Sequence, residues 1–296
     1  MDSSTLFSTK KVIFIPRSTC KLLLLITLLA ASFWLLKSCY RGSASAGISS
    51  QGLQELEVTS SAYPYFAYLV EQEHFSAFNK RSLYYEKSAA LTGVPPHDYY
   101  TFTFKYADGQ LFILHYSPLL NEFYDPDYQL LAASPPLKEK LLDLMALYRQ
   151  AADKQYGVLL LWEETNELFP KYAVAKITDI YSGASFYVQR REGSSHIDAQ
   201  PLTAEDTAIM KEIYGGNWSW ERKGIIVEIG GHRIAASMHG MPHGAGKIPD
   251  NDFPGHFCIH FFGSVIHGGG MDLRHHQEIL KAAGKLPLDG TSESEK

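Results

Sequence analysis

Between Pro254 and Ser264 the chain reads PGHFCIHFFGS, which puts one cysteine between two histidines on alternate residues. Side chains alternate between the two faces of an extended strand. His256, Cys258 and His260 then share one face, and Phe257, Ile259 and Phe261 share the other. A thiol becomes a nucleophile when an imidazole takes its proton, and pairing with imidazole implies a lowered thiol pKa. His256 lies two residues before Cys258, and His239 ends an apolar run just before a loop rich in glycine and proline. Both are placed to serve the thiol, with Gly240, His260, Ser237 and Ser264 in supporting positions. The other cysteines, Cys20 and Cys39, flank an N-terminal apolar run, so Cys258 stands alone in the body of the chain. A solitary thiol of this kind reads either as a nucleophile or as a small buried hydrophobe.

A metal ion would use the same neighbourhood differently. The stretch GSSHIDAQPLT offers His196 and Asp198, and His256, Cys258, His260 and His267 could add ligands. A His-x-Asp pair followed by closely spaced histidines is similar to exported zinc peptidases, whose His and Asp ligands leave a position for water. No HExxH spacing is present. Thiol chemistry needs no cofactor, and zinc is the alternative. His243, His275 and His276 read as polar loop or surface residues. Trp218 and Trp220 lie two apart and share a face if extended, which suits either substrate stacking or core packing. The stretch HGGGMD, His267 to Asp272, reads as a glycine-rich loop before a helix that starts at Asp272.

The elements that must position these residues fall in a region from 168 to 285, where nine of the twelve histidines lie from His196 onward. YAVAKITDI and ASFYVQR read as strands joined at Ser182-Gly183, and IIVEIGGHRIAASM as a hairpin turning on Gly230-Gly231. TAEDTAIMKEIY reads as a helix with a capping box of Thr203 and Asp206. DLRHHQEILKAAG closes the region as a helix stopped by Gly284. Strands dominate, with peripheral helices.

A small α+β module, 53–167, precedes it. There YFAYLVEQEHFSAF reads as an amphipathic helix, YYTFTFKYADGQLFILHY as a hairpin, PLKEKLLDLMALYRQAADKQ as a helix and GVLLLW as a buried strand. The tail 286–296 reads as disordered, and RGSASAGISSQG, 41–52, as a flexible linker. Ahead of it, LLLLITLLAASFWLL carries no charge and is preceded by Lys10, Lys11, Arg17 and Lys21. With its flanks it makes a transmembrane anchor over 21–40, with 1–20 cytoplasmic and the body extracytoplasmic by the positive-inside rule. A cleaved signal is the rival reading. The net charge of −5 argues against nucleic acid as a partner.

The spacing of His239-Gly240 and Gly255-His256-Phe257-Cys258 resembles the L,D-transpeptidase catalytic motif, a His-Gly followed after a loop by Ser/Thr-His-Gly-Cys. The resemblance implies a mainly β, sandwich-like catalytic domain acting outside the membrane on peptidoglycan stem peptides. It implies Cys258 as nucleophile, His239 as base and His256 as a helper. The chain departs from the motif at Gly255, where Ser or Thr is usual, at Phe257, where glycine is usual, and at His260, where Arg or Asn is common. A zinc-dependent peptidoglycan peptidase and a non-catalytic wall-binding module are the alternatives.

Overall fold

Two antiparallel systems of strands account for most of the regular structure. The computed structural model describes residues 52–75, 78, 85–87, 97–246 and 248–288. The expected tail, anchor and nearly all of the linker, and the C-terminus from 289, lie outside the described residues. Among the described residues no helix is long and apolar enough to cross a membrane.

The first system is a sheet of β1 (Leu53–Ser60), β2 (Tyr63–Leu69), β3 (Tyr85–Lys87), β4 (Tyr100–Tyr106), β5 (Leu111–Ser117), β6 (Glu122–Tyr124) and β7 (Leu130–Ala133), in the order β2-β1-β4-β5-β6-β7-β3. Strand β4 shows why it forms: Tyr100, Phe102, Phe104 and Tyr106 are buried and alternate with Thr and Lys. Helix α1 is a single turn, Gln72–Phe75. Helix α2 (Pro135–Gln155) starts with proline after Ser134 and buries Leu137, Leu141, Leu144, Tyr148 and Ala152 along one stripe. Tyr148 meets Phe66 and Tyr100 of the sheet. The helix expected over YFAYLVEQEHFSAF is therefore corrected. Its first half is β2, an aromatic edge strand in which Pro64 is tolerated because an edge residue need not donate to a ladder.

The segment after α2 also departs from expectation. GVLLLW makes only isolated bridges, Val158 to Ile234 and Leu161 to Phe262, and Val158 and Leu161 are about half exposed (46% and 48%). Trp162 then begins α3 (Trp162–Leu168) and packs into the second system rather than the first.

That second system comprises β8 (Val174–Asp179), β9 (Ser185–Glu192), β10 (Ile197–Pro201), β11 (Arg222–Ile229), β12 (His232–His239) and β13 (Phe257–His260), closed into a barrel in the order β10-β13-β12-β11-β8-β9. The region is mainly β with few helices, as its sequence suggests. Its layering differs from a sandwich: β10 pairs with both β9 and β13, so the sheet curls onto itself and leaves no free edge. Ile177, Phe186, Val188, Ile197, Val227, Ile234, Met238, Phe257 and Ile259 belong to its apolar interior.

Local signals in the sequence are realised here. Ile229 pairs with His232 across Gly230 and Gly231, both at positive φ, giving the tight hairpin. Helix α4 (Ala204–Ile213) has its capping box of Thr203 and Asp206. Helix α5 (Leu273–Ala282) is capped by Asp272, whose side chain accepts the amides of Arg274 and His275, and the chain leaves it at Gly284 with φ +67.

Candidate functional site

Strands β10, β13 and β12 lie side by side, with Asp198 opposite Cys258 and Ser237 opposite His260. Ile197, Ala199, Ala236, Met238, Phe257, Ile259 and Phe261 point into the barrel. Alternation then sends Asp198, Ser237, His239, Cys258 and His260 to its outer wall. The division of β13 into an apolar and a polar face therefore holds, and Phe257, where the motif has glycine, is a core side chain. The polar face is closed off from solvent. Cys258, His239, His260 and His196 are each no more than 4% exposed. Helix α5 contributes His275 to the cover (2% exposed), and the loops after β12 and β13 contribute His243 and His267.

The thiol sits 3.5 Å from His243 Nε2 and 3.8 Å from Asp198 Oδ1. The other nitrogen of His243, Nδ1, donates to the Met241 carbonyl at 3.1 Å. That bond fixes the tautomer that leaves the Nε2 lone pair facing Sγ. A backbone bridge holds the loop there: His243 and His256 exchange N–H···O bonds of 2.9 and 2.8 Å. Gly255 makes the bridge possible. Its φ is +141°, and a Cβ on it would lie 2.5 Å from the His243 carbonyl oxygen, so neither Ser nor Thr fits where the motif would have one. Gly244, φ +61°, passes so close to the His256 ring that a Cβ would lie 2.3 Å from it.

His243, not His239, thus bonds to the thiol. The stretch MHGMPHG contains two His-Gly pairs, and the second places its histidine 15 residues before Cys258. That duplicate was the available signal. His239 is displaced because it closes β12 and uses Nδ1 to accept the Met241 amide at 3.3 Å. Its ring lies 5.1 Å from that of His243 and 4.7 Å from Trp220.

The remaining residues separate into those at the site and those elsewhere. His260 is stacked between His196 (4.5 Å) and His275 (4.0 Å), and His275 Nδ1 is hydrogen-bonded to Ser237 Oγ at 2.9 Å. His275 is therefore corrected from a surface residue to a buried one. His276 packs against Phe262 instead. Trp220 is 50% exposed and covers His239 and His243, whereas Trp218 turns to Phe253 and the core, so the two do not share a face. Ser264 accepts the Phe261 amide at 3.0 Å and shapes the turn after β13. Gly240 leaves room for the Tyr214 ring, 2.4 Å from where its Cβ would stand.

Asp198 is the hub of the charges. Oδ1 lies 3.4 Å from His196 Nε2, 3.7 Å from His256 Nε2 and 3.9 Å from His267 Nε2. Burial pushes its pKa up, but the bond to His196 and the fields of His256, His196 and His267 outweigh it and hold the carboxyl below its usual range. Burial lowers the imidazoles, His239 and His260 to about 3 and His243 in the same direction. Burial, reinforced by the Asp198 carboxylate, pushes the Cys258 thiol well up. The lowered thiol pKa expected from a cysteine–histidine pair is therefore corrected: the resting pair is a neutral thiol and a neutral imidazole.

The ligating atoms of His196, Asp198, Cys258 and His267 lie within 4.8 Å of one another, as do those of His239, His243 and Cys258, and those of His243, His256 and His267. His260, expected among possible ligands, belongs to none of these sets. No family model matches the chain, no curated protein matches it, and no solved structure matches it.

Proposed function

We propose that the protein is a cysteine acyltransferase acting on cell-wall stem peptides, resembling an L,D-transpeptidase, with its body held outside the cell membrane by a single N-terminal span. The observation that carries the chemistry is the Cys258–His243 pair, with the far nitrogen of His243 anchored on a backbone carbonyl. A base oriented in this way is what a thiol nucleophile requires. The substrate class and location rest on the resemblance of the Gly255–Cys258 segment to the wall-enzyme motif and on the basic residues before the apolar run.

The resting thiol is neutral, so proton transfer accompanies attack. Sγ adds to the carbonyl carbon as His243 Nε2 takes its proton, and the tetrahedral intermediate collapses with the C–N bond breaking. The proton on His243 goes to the leaving amine, and a thioester remains on Cys258. An acceptor amine or water attacks that thioester, His243 again takes and returns the proton, and the thiol is regenerated. The half-exposed Trp220 gives the substrate a surface beside the imidazoles.

Muropeptide analysis of sacculi incubated with the metal-free protein tests the reading. Cys258→Ser should abolish turnover, and His243→Gln should lower it about 100-fold or more. Turnover by Cys258→Ser, or no turnover by the unaltered protein, would overturn the proposal. The second reading, a zinc-dependent peptidase, is favoured by the convergence of His196, Asp198 and His267. Cys258 completes that set, however, and a catalytic zinc keeps one position for water.

A further inference from the structure

We propose that the thiol pocket is also a zinc site, in which His196, Asp198, Cys258 and His267 bind the ion and thereby cap the nucleophile. The binding claim stands on geometry alone; its inhibitory consequence rests on the acyltransfer reading above.

The spacing of the donors is the first argument. His196 Nε2 lies 3.2 Å from His267 Nε2 and 3.4 Å from Asp198 Oδ1, and Oδ1 lies 3.8 Å from Cys258 Sγ and 3.9 Å from His267 Nε2. Zinc held tetrahedrally, at about 2.0–2.1 Å from nitrogen and oxygen and about 2.3 Å from sulfur, separates its ligand atoms by roughly 3.3–3.6 Å. These four separations lie close to that arrangement, and all the donor atoms lie within 4.8 Å of one another, so side-chain adjustment can gather them around one ion.

The second argument comes from His196. It is 1% exposed, and its Nδ1 donates to the Val265 carbonyl at 2.8 Å. Its other nitrogen, Nε2, is thereby held toward Asp198 Oδ1 at 3.4 Å and His267 Nε2 at 3.2 Å. A histidine whose second nitrogen is fixed by a carbonyl is also the usual orientation of a metal ligand. The sulfur donor selects a thiophilic ion such as zinc over magnesium or calcium.

On binding, the Cys258 S–H bond breaks, its proton passes to His243 Nε2 and on to solvent, and the thiolate pair is donated to the metal. With all four positions taken by protein, no water is activated, so the metal blocks acyl transfer without replacing it. His267 is the accessible donor, with its side chain 68% exposed ahead of Gly268, Gly269 and Gly270, all at positive φ.

The test uses the full chain in detergent, stripped of metal and titrated with zinc and, separately, with cobalt. One equivalent of zinc should bind and protect Cys258 from iodoacetamide, read peptide by peptide so that Cys20 and Cys39 are scored apart. Cobalt should give a sulfur-to-metal charge-transfer band that Cys258→Ser removes. His267→Ala should weaken zinc binding by more than the roughly 10- to 100-fold typical of losing an outer-sphere partner. No stoichiometric binding, a band that survives Cys258→Ser, unchanged affinity in His267→Ala, or alkylation of Cys258 undiminished by zinc would each overturn the site. These readouts need no substrate, so they stand or fall separately from turnover. Where the metal-free protein turns over, one equivalent of zinc should stop it and a chelator should restore it; turnover that continues with zinc bound would overturn the inhibitory role.

Discussion

Replacing Ile259 by alanine tests whether the site strand is anchored by the barrel interior. Ile259 is fully buried, pairs across the ladders with Ile197 and Met238, and has Phe257 and Phe261 on its own side of the strand. The substitution removes three carbons, and at roughly 0.8 kcal/mol per buried methylene the lost transfer energy is about 2.4 kcal/mol. A cavity term adds to this, because a closed ring of strands cannot collapse inward to fill the gap, and core truncations of this size cost about 2–5 kcal/mol in total. The expected loss is therefore about 3–4 kcal/mol. Urea unfolding followed by tryptophan fluorescence would read it as a lower midpoint at unchanged slope. Leu273→Ala, 65% exposed, serves as the control and should change little. A cost below about 1 kcal/mol for Ile259→Ala would refute the claim that this face of β13 is core. The comparison with His260→Ala is equally informative. Alternation alone predicts a mild effect there, but stacking on both faces, at 4.5 and 4.0 Å, makes the loss comparable to that of a core residue.

Two further outcomes follow from the backbone and the buried imidazoles. Gly255→Ala should cost about 1–3 kcal/mol in urea unfolding, because it strains a left-handed backbone and pushes against the His243 carbonyl; a neutral result would mean that the bridge is dispensable. In metal-free protein His275 is held far below its ordinary value of 6.5 by burial, then by the fields of His260 and Arg222. Above pH 6.5 neither state binds the proton; below it only the unfolded state does, so stability falls on acidification by up to about 1.4 kcal/mol per pH unit. His275→Gln should flatten the pH dependence of stability between pH 6.5 and 5, and an unchanged slope would show that His275 titrates alike in both states.

What the sequence made legible was local. The hairpin at Gly230-Gly231, the capping box of Thr203 and Asp206, the end of β12 at His239 and the two faces of β13 each depend on neighbours within a few residues. What it hid was long-range. His243 reads as a loop residue until the bridge to His256 brings it over the thiol. His275 reads as a surface position until α5 lies across β11 and β12 and seats the ring against His260 and Ser237. The aromatic run of β2 carries apolar residues at helical as well as alternating spacing, and only pairing with β1 decides between them. Closure of the barrel rests on β10 meeting β13, a pairing across 60 residues that no local pattern announces.

The direct pairing of Asp198 with Cys258 gives the site a stationary half and a delivered half. Carboxylate and thiol stand on adjacent strands that are themselves held by neighbours on both sides, so their separation belongs to the ring and not to any loop. The imidazoles that meet them arrive on two separate loops, His243 on the one that precedes β13 and His267 on the one that follows it. On the readings proposed above, one delivery supplies a proton acceptor and the other a metal ligand. On those readings the same fixed pair is set to work or set aside by its guests, and lengthening or shortening either loop should alter that choice without touching the strands.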